Sequence, residues 1–110
     1  MVGNVCAVDG FAVIAEPTRR AIVDRLRLGE SDVGTLVEEL QVSQSLVSKH
    51  LRVLRQAGVV ESEVAGKRRI YRLTDRPLPD VLAWVRPYVD RWSTSFDRLA
   101  EALDDEEKRR

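Results

Sequence analysis

In 110 residues the chain carries one cysteine, one histidine and one methionine, and only 5% of it is aromatic. A single thiol, Cys6, excludes an internal disulfide framework and a cysteine-based metal cluster within one chain, and it suits a reducing cytoplasm. So few aromatics argue against a sugar or flavin pocket, and no cofactor is expected. With His50 alone, and no nucleophile placed near it, neither a Ser/His/Asp nor a Cys/His arrangement can be assembled, so the chain does not read as an enzyme. Apolar runs are short, and the opening MVGNVCAVDGFAVIAE has no basic leader, so neither a membrane span nor a targeting signal is expected. Net charge is also missing: the formal total is zero, which taken alone argues against a generic nucleic-acid binder.

What is present is charge in unequal blocks. Met1 to Pro17 holds two acids and no base, Thr18 to Leu73 eleven bases against seven acids, and Thr74 to Arg110 seven bases against nine acids. Within the middle block the excess lies in Ser43 to Leu73, where Lys49, Arg52, Arg55, Lys67, Arg68, Arg69 and Arg72 face only Glu61 and Glu63. Such a surplus is a plausible phosphate footprint, because neutralising phosphates releases counterions and supplies sequence-independent affinity.

The punctuation of the chain predicts its elements. Phe11 to Ala15 reads as a short helix ending before Pro17, and a second helix runs from Pro17, in its first turn, to Leu28 with Gly29 as the stop. VGTLVEEL is a third helix with Leu36, Val37 and Leu40 on one side. A fourth starts at the N-cap Ser43 and runs to Ala57 before Gly58, and the tight turn between them makes a helix-turn-helix. Gln41 stands where such turns favour glycine, at a cost of roughly 1 kcal/mol if its φ is positive. VVESEV and RRIYRL, joined around Gly66, read as a β-hairpin, which gives the winged-helix order. Last, Leu78, Leu82, Val85, Val89, Trp92, Phe96, Leu99 and Leu103 repeat with alternating spacings of four and three. That is a heptad seam better suited to a helix–helix dimer interface than to a helix covering its own small domain. Pro87 should kink or split that helix. The expected class is therefore mostly α with a β-hairpin wing, a winged helix-turn-helix of order α-α-α-α-β-β-α. Residues 1–103 form the DNA-binding and dimerisation domain and residues 104–110 a frayed, charged tail.

The fourth helix is two-sided. With Leu46 at zero and about 100° per residue, Val53, Leu46, Leu54, Val47 and Leu51 occupy one arc. The opposite arc holds Gln44, Ser45, Ser48, Lys49, Arg52 and Arg55 without a single acid. A merely solvated face usually mixes signs, whereas amides, hydroxyls and cations are the groups that reach base edges and phosphates. His50 falls inside the apolar arc and reads as a packed side chain with one ring nitrogen hydrogen-bonded.

In that order EPTRRAIVDRL, VGTLVEEL, SQSLVSKHLRVLRQAGVVES and GKRRIYRL resemble the ArsR/SmtB family of bacterial winged-helix repressors, over about Phe11 to Leu103. The C-terminal WVRPYVDRWSTSFDRLAEAL is similar to its metal-independent, SdpR-like branch. The resemblance implies a homodimer, built through the first and last helices, that binds operator DNA. It places Gln44, Ser45, Ser48 and Lys49 on base edges or groove walls, Arg52 and Arg55 on phosphates, and Lys67, Arg68 and Arg69 in a wing on the backbone or minor groove. The interface falls to Leu82, Val85, Val89, Trp92, Phe96 and Leu99. Metal sensors of the family carry a Cys-x-Cys type motif where this chain reads Leu36-Val37-Glu38-Glu39, or histidines on the last helix, where Asp80, Asp90 and Asp97 stand without one. No metal site is expected. Cys6 reads as an unremarkable small residue, with pairing to its dimer mate or a redox thiol as the alternatives.

The function expected is that of a cytoplasmic, nucleoid-associated repressor that binds a palindromic operator as a homodimer, through a recognition helix at about 43–57 and a wing at about 59–73. The alternative is a winged-helix module for protein association, its basic face meeting an acidic partner without sequence-specific DNA binding. The inducer, if there is one, is not legible.

Overall fold

The computed structural model describes residues 9–108, so Cys6 lies outside the described residues. Two units are distinguished: one ends at Asp80, and the other runs from Val81 onward.

The first unit begins with two short helices joined by one residue. α1 spans Gly10–Ala15, capped by Asp9, whose Oδ1 accepts the Phe11 N–H at 3.0 Å. α2 spans Pro17–Arg27, with Pro17 at its start and Glu16 as N-cap, its Oε2 accepting the Arg19 N–H at 2.8 Å. That donor holds the Glu16 carboxyl below the usual carboxylate range. Arg19 then reaches back across the end of α1, donating from Nε to the Val13 carbonyl at 2.7 Å and from Nη2 to the Ala12 carbonyl at 3.2 Å. Carbonyls that α1 cannot satisfy internally are thus satisfied from α2.

A two-residue strand, β1 (Ser31–Asp32), precedes α3 (Val33–Leu40) and α4 (Gln44–Gln56). β2 (Val60–Ala65) and β3 (Arg68–Leu73) form the hairpin around Gly66, whose φ of 66° suits the turn. β1 adds to the far edge of β3, pairing Ser31 with Tyr71 and Asp32 with Ile70, so the sheet order is β1-β3-β2 and entirely antiparallel. The expected order of elements lacked this third strand, and the observed order is α-α-β-α-α-β-β-α. Two residues are too few to show an alternating pattern.

The core of this unit is a contiguous cluster of Val13, Ile22, Leu26, Leu36, Val47, Leu51, Leu54, Val59 and Val60, each at most 5% exposed. Fully burying one Leu or Ile stabilises by about 1.5–3 kcal/mol, so the four helices are held chiefly by the faces they turn to this cluster. Leu78 also packs on it, from the link after β3, in a left-handed backbone conformation of φ 76°. It is therefore not the first position of the heptad seam, which starts at Leu82.

α5 spans Pro79–Lys108 as one helix, so residues 104–108, expected to be part of a frayed tail, are helical. It is not split at Pro87, although the proline ring removes the bond that an N–H there would make one turn back. In the second unit Leu82, Val89, Trp92, Phe96, Leu99 and Leu103 are between 43% and 68% exposed, and Val85 is half-buried.

Candidate nucleic-acid interface

The turn between α3 and α4 brings two helices together within three residues. Gln41 ends α3 in the left-handed conformation, φ 56° and ψ 43°, with its N–H on the Val37 carbonyl and its side-chain amide donating to the Glu38 carbonyl at 2.8 Å. The strain anticipated at this position is present, and the side-chain bond partly offsets it. Ser43 caps α4, its hydroxyl accepting the Leu46 N–H at 3.3 Å. At the other end Gly58, at φ 76°, lets the chain leave the helix directly into β2.

Seated in this way, α4 buries Val47, His50, Leu51 and Leu54. These lie between about 40° and 140° on the helical wheel, a narrower arc than the apolar residues alone suggest. Leu46 is 37% exposed and Val53 only half-buried, so the expectation that Leu46 packs is corrected: it sits on the rim of the buried arc, not in it. Gln44, Ser45, Ser48, Lys49, Arg52 and Arg55 are all exposed on the opposite side, and α4 contains no acid.

His50 belongs to the packed side, at 6% exposure. Arg19 Nη1 lies 3.4 Å from its Nδ1, and Glu16 Oε2 lies 3.6 Å from its Nε2. A guanidinium can only donate, so Nδ1 accepts and the Nε2 proton faces Glu16. The ring thereby links the middle of α4 to the α1–α2 junction and has no access to a ligand.

The wing divides its charges by strand parity. Arg68, Ile70 and Arg72 share one face of β3 with Glu61 and Glu63 across from them on β2. On that face Arg72 pairs with Glu63, with Glu61 at 3.8 Å and with Glu30 at 3.8 Å, and the Glu63 carboxylate in particular raises its pKa. Arg68 pairs with Asp32 at 3.0 Å. Arg72 is therefore not part of the cationic surplus read from the sequence, since it consumes both acids of the Ser43 to Leu73 stretch. Lys49, Arg52, Arg55 and Lys67 have no acidic partner among the described residues, and Arg69 makes only a bond to the Ser62 hydroxyl at 3.3 Å.

Three of the expected contact residues meet across a cleft. Ser48, Arg52 and Arg55 of α4, with Gln56, face Tyr71 of β3 around an open volume of about 490 Å³. Gln44, Ser45 and Lys49 lie outside it, nearer the start of α4, and Lys67, Arg68 and Arg69 stand in and beside the hairpin turn. Tyr71 and Gln56 were missed by the sequence reading. The available signal for Tyr71 was its parity with Arg69 on β3.

Among the described residues no three His, Cys, Asp or Glu side chains are grouped as metal ligands, and no helix is long and apolar enough to cross a membrane. Residues 16–62, which hold α2, β1, α3, α4 and the start of β2, match the family described as bacterial regulatory protein, arsR family. Over 97 residues the chain is 43% identical to the HTH-type transcriptional regulator Rv2034 of Mycobacterium tuberculosis, covering 87% of each protein. Over 81 residues it is 32% identical to the transcriptional repressor SdpR of Bacillus subtilis, covering 74% of this chain and 90% of that one. The crystal structure of the transcriptional repressor BigR from Xylella fastidiosa superposes with a TM-score of 0.61 at 29% identity, over 73% of this chain and 82% of that one. With a helix-turn-helix, an acid-free exposed face and a wing already in place, these matches show that the chain belongs to the ArsR family of bacterial regulatory proteins and is a DNA-binding transcriptional regulator, not an enzyme.

Proposed function

We propose that this regulator is a homodimeric repressor whose two α4 helices enter successive major grooves of an imperfect palindrome, about 34–36 Å apart. Gln44, Ser45, Ser48 and Lys49 reach base edges or groove walls, Arg52 and Arg55 hold phosphates, and Lys67, Arg68 and Arg69 lie along the backbone or minor groove. Residues 1–103 carry both activities and residues 104–110 are a charged extension. The observation that carries the reading is the exposed face of α4, cationic and polar along its length and free of acids. The dimer rests on the seam of α5, where Trp92, Phe96 and Leu99 are more than half exposed in a single chain, the kind of apolar exposure that marks a partner surface.

The test is selection of duplexes from a random-sequence pool by the wild-type protein, followed by gel-shift titration of Ser48→Ala and Lys49→Ala. Each should bind the selected duplex about 1–3 kcal/mol more weakly. Unchanged affinity in both, or wild-type binding that unrelated competitor DNA removes completely, contradicts the reading.

A further inference from the structure

Tyr71 is held differently from every other polar group on the proposed DNA face. Its ring packs against the core cluster, and the residue is half-buried. Both neighbouring strands flank it, since it stands opposite Ser31 on β1 and opposite Ser62 on β2. Nevertheless its hydroxyl has no hydrogen-bond partner among the described residues, and it is not sealed from solvent, because those residues contain no buried, unsatisfied side-chain oxygen. The hydroxyl is thus solvent-accessible, on a residue that lines the cleft with Ser48, Arg52, Arg55 and Gln56. A phenol anchored at its ring end presents its O–H with little freedom left to lose, the opposite of a surface lysine.

The two guanidiniums of the cleft are also uncommitted. Neither Arg52 nor Arg55 is paired with an acid, and the acids near the hairpin, Glu61 and Glu63, are engaged by Arg72 on the opposite face of the sheet. Ser48, Arg52 and Gln56 repeat every four residues, a row along the later part of α4 facing the wing. In helix-turn-helix docking the base edges are read from the start of the recognition helix, which leaves its later turns beside the sugar-phosphate strand. Two cationic forks and one fixed neutral donor converging on an open, acid-free cleft form a receptor for one tetrahedral oxyanion.

We propose that this cleft seats a single DNA phosphate, held by Arg52 and Arg55 and oriented by the Tyr71 hydroxyl, and that the seat sets how far along the groove α4 lies. The inference rests on the DNA-binding face proposed above and adds Tyr71 to it. Gln56 closes the end of the cleft, and Ser48 marks its boundary with the base-reading turn.

The experiment titrates wild type, Tyr71→Phe, Arg52→Ala and the double variant against two duplexes, one selected by the wild-type protein and one of mixed sequence, over a range of salt concentrations. Tyr71→Phe keeps the ring in the core and removes only the hydroxyl. It should bind both duplexes about tenfold more weakly, with an unchanged thermal midpoint and an unchanged salt slope, because no charge is lost. Arg52→Ala removes one phosphate contact from each half of the dimer and should lower the slope of log K against log salt by about 1.8. The double variant should lose less than the product of the two single effects, since both groups hold the same phosphate. Equal affinity of Tyr71→Phe and wild type for both duplexes overturns the seat, and so do strictly multiplicative effects in the double variant. If the wild type shows no preference between the duplexes, operator reading fails while the seat is still tested on the mixed-sequence duplex.

Discussion

The backbone N–H of Gly10 donates to the Asp80 carboxylate at 2.8 Å, joining residues that lie 70 positions apart. The bond satisfies one of the free donors at the start of α1 with an acid from the first turn of α5. It closes the first unit on itself, and because Gly10 is buried its loss leaves a donor without water. Asp80→Ala should therefore lower unfolding free energy by about 1–2 kcal/mol in a urea titration. A midpoint equal to wild type would mean the bond contributes nothing net.

Acid stability should depend on Asp32. Its side chain caps α3, accepting from Thr35, and that bonding with Arg68 close by holds its carboxyl below the usual carboxylate range. A carboxylate more acidic folded than unfolded adds stability that is complete above the ordinary carboxylate range and is lost as pH falls through the folded-state value. Asparagine keeps a cap but not the charge, so Asp32→Asn should be less stable than wild type at neutral pH and converge with it as pH falls, which makes the acid side of the stability–pH curve shallower. An acid limb parallel to wild type would place the proton uptake elsewhere.

The wing cations should differ from one another. Lys67 is unpaired and Arg69 is bonded only to a hydroxyl, whereas Arg68 shares its charge with Asp32. In a dimer with two wings, Lys67→Ala and Arg69→Ala should each reduce the salt slope of DNA binding by up to about 1.8, and Arg68→Ala by less, with no change in sequence preference for any of the three. Equal slopes for all three variants would show that the Asp32 pair opens on binding.

Val89→Asp and Phe96→Asp test the proposed dimer. Each puts a carboxylate in the α5 seam, where burying an unpaired charge costs several kcal/mol. Sedimentation should find monomers that bind the selected duplex weakly. An intact dimer in both variants would move the interface off this seam.

The parts of the fold that the sequence revealed are those marked by backbone chemistry. Ser43 and Gly58 bracket α4 because a hydroxyl cap and a left-handed exit are local requirements, and Gln41 took the left-handed turn despite having a side chain. What stayed hidden depends on partners distant in sequence. β1 exists because Ser31 and Asp32 find an open edge on β3. Leu46 looks apolar enough to pack, but only the neighbouring helices decide where the buried arc ends. Arg72 counts as a free cation until three carboxylates, two on β2 and one just before β1, are seen around it. Tyr71 carries no charge, and although its parity with Arg69 is readable, only the fold shows that this face of β3 meets the end of α4.

The Arg72 cluster also has a consequence before any contact is made. By gathering Glu30, Glu61 and Glu63 around one arginine on one side of a thin sheet, it leaves that side net negative and the other positive. A duplex approaching by diffusion meets a field with a direction, attractive toward the Arg69 and Tyr71 side and repulsive behind it. Encounters are sorted by orientation while protein and DNA are still separated by water, so the wing acts as a compass before it acts as a clamp.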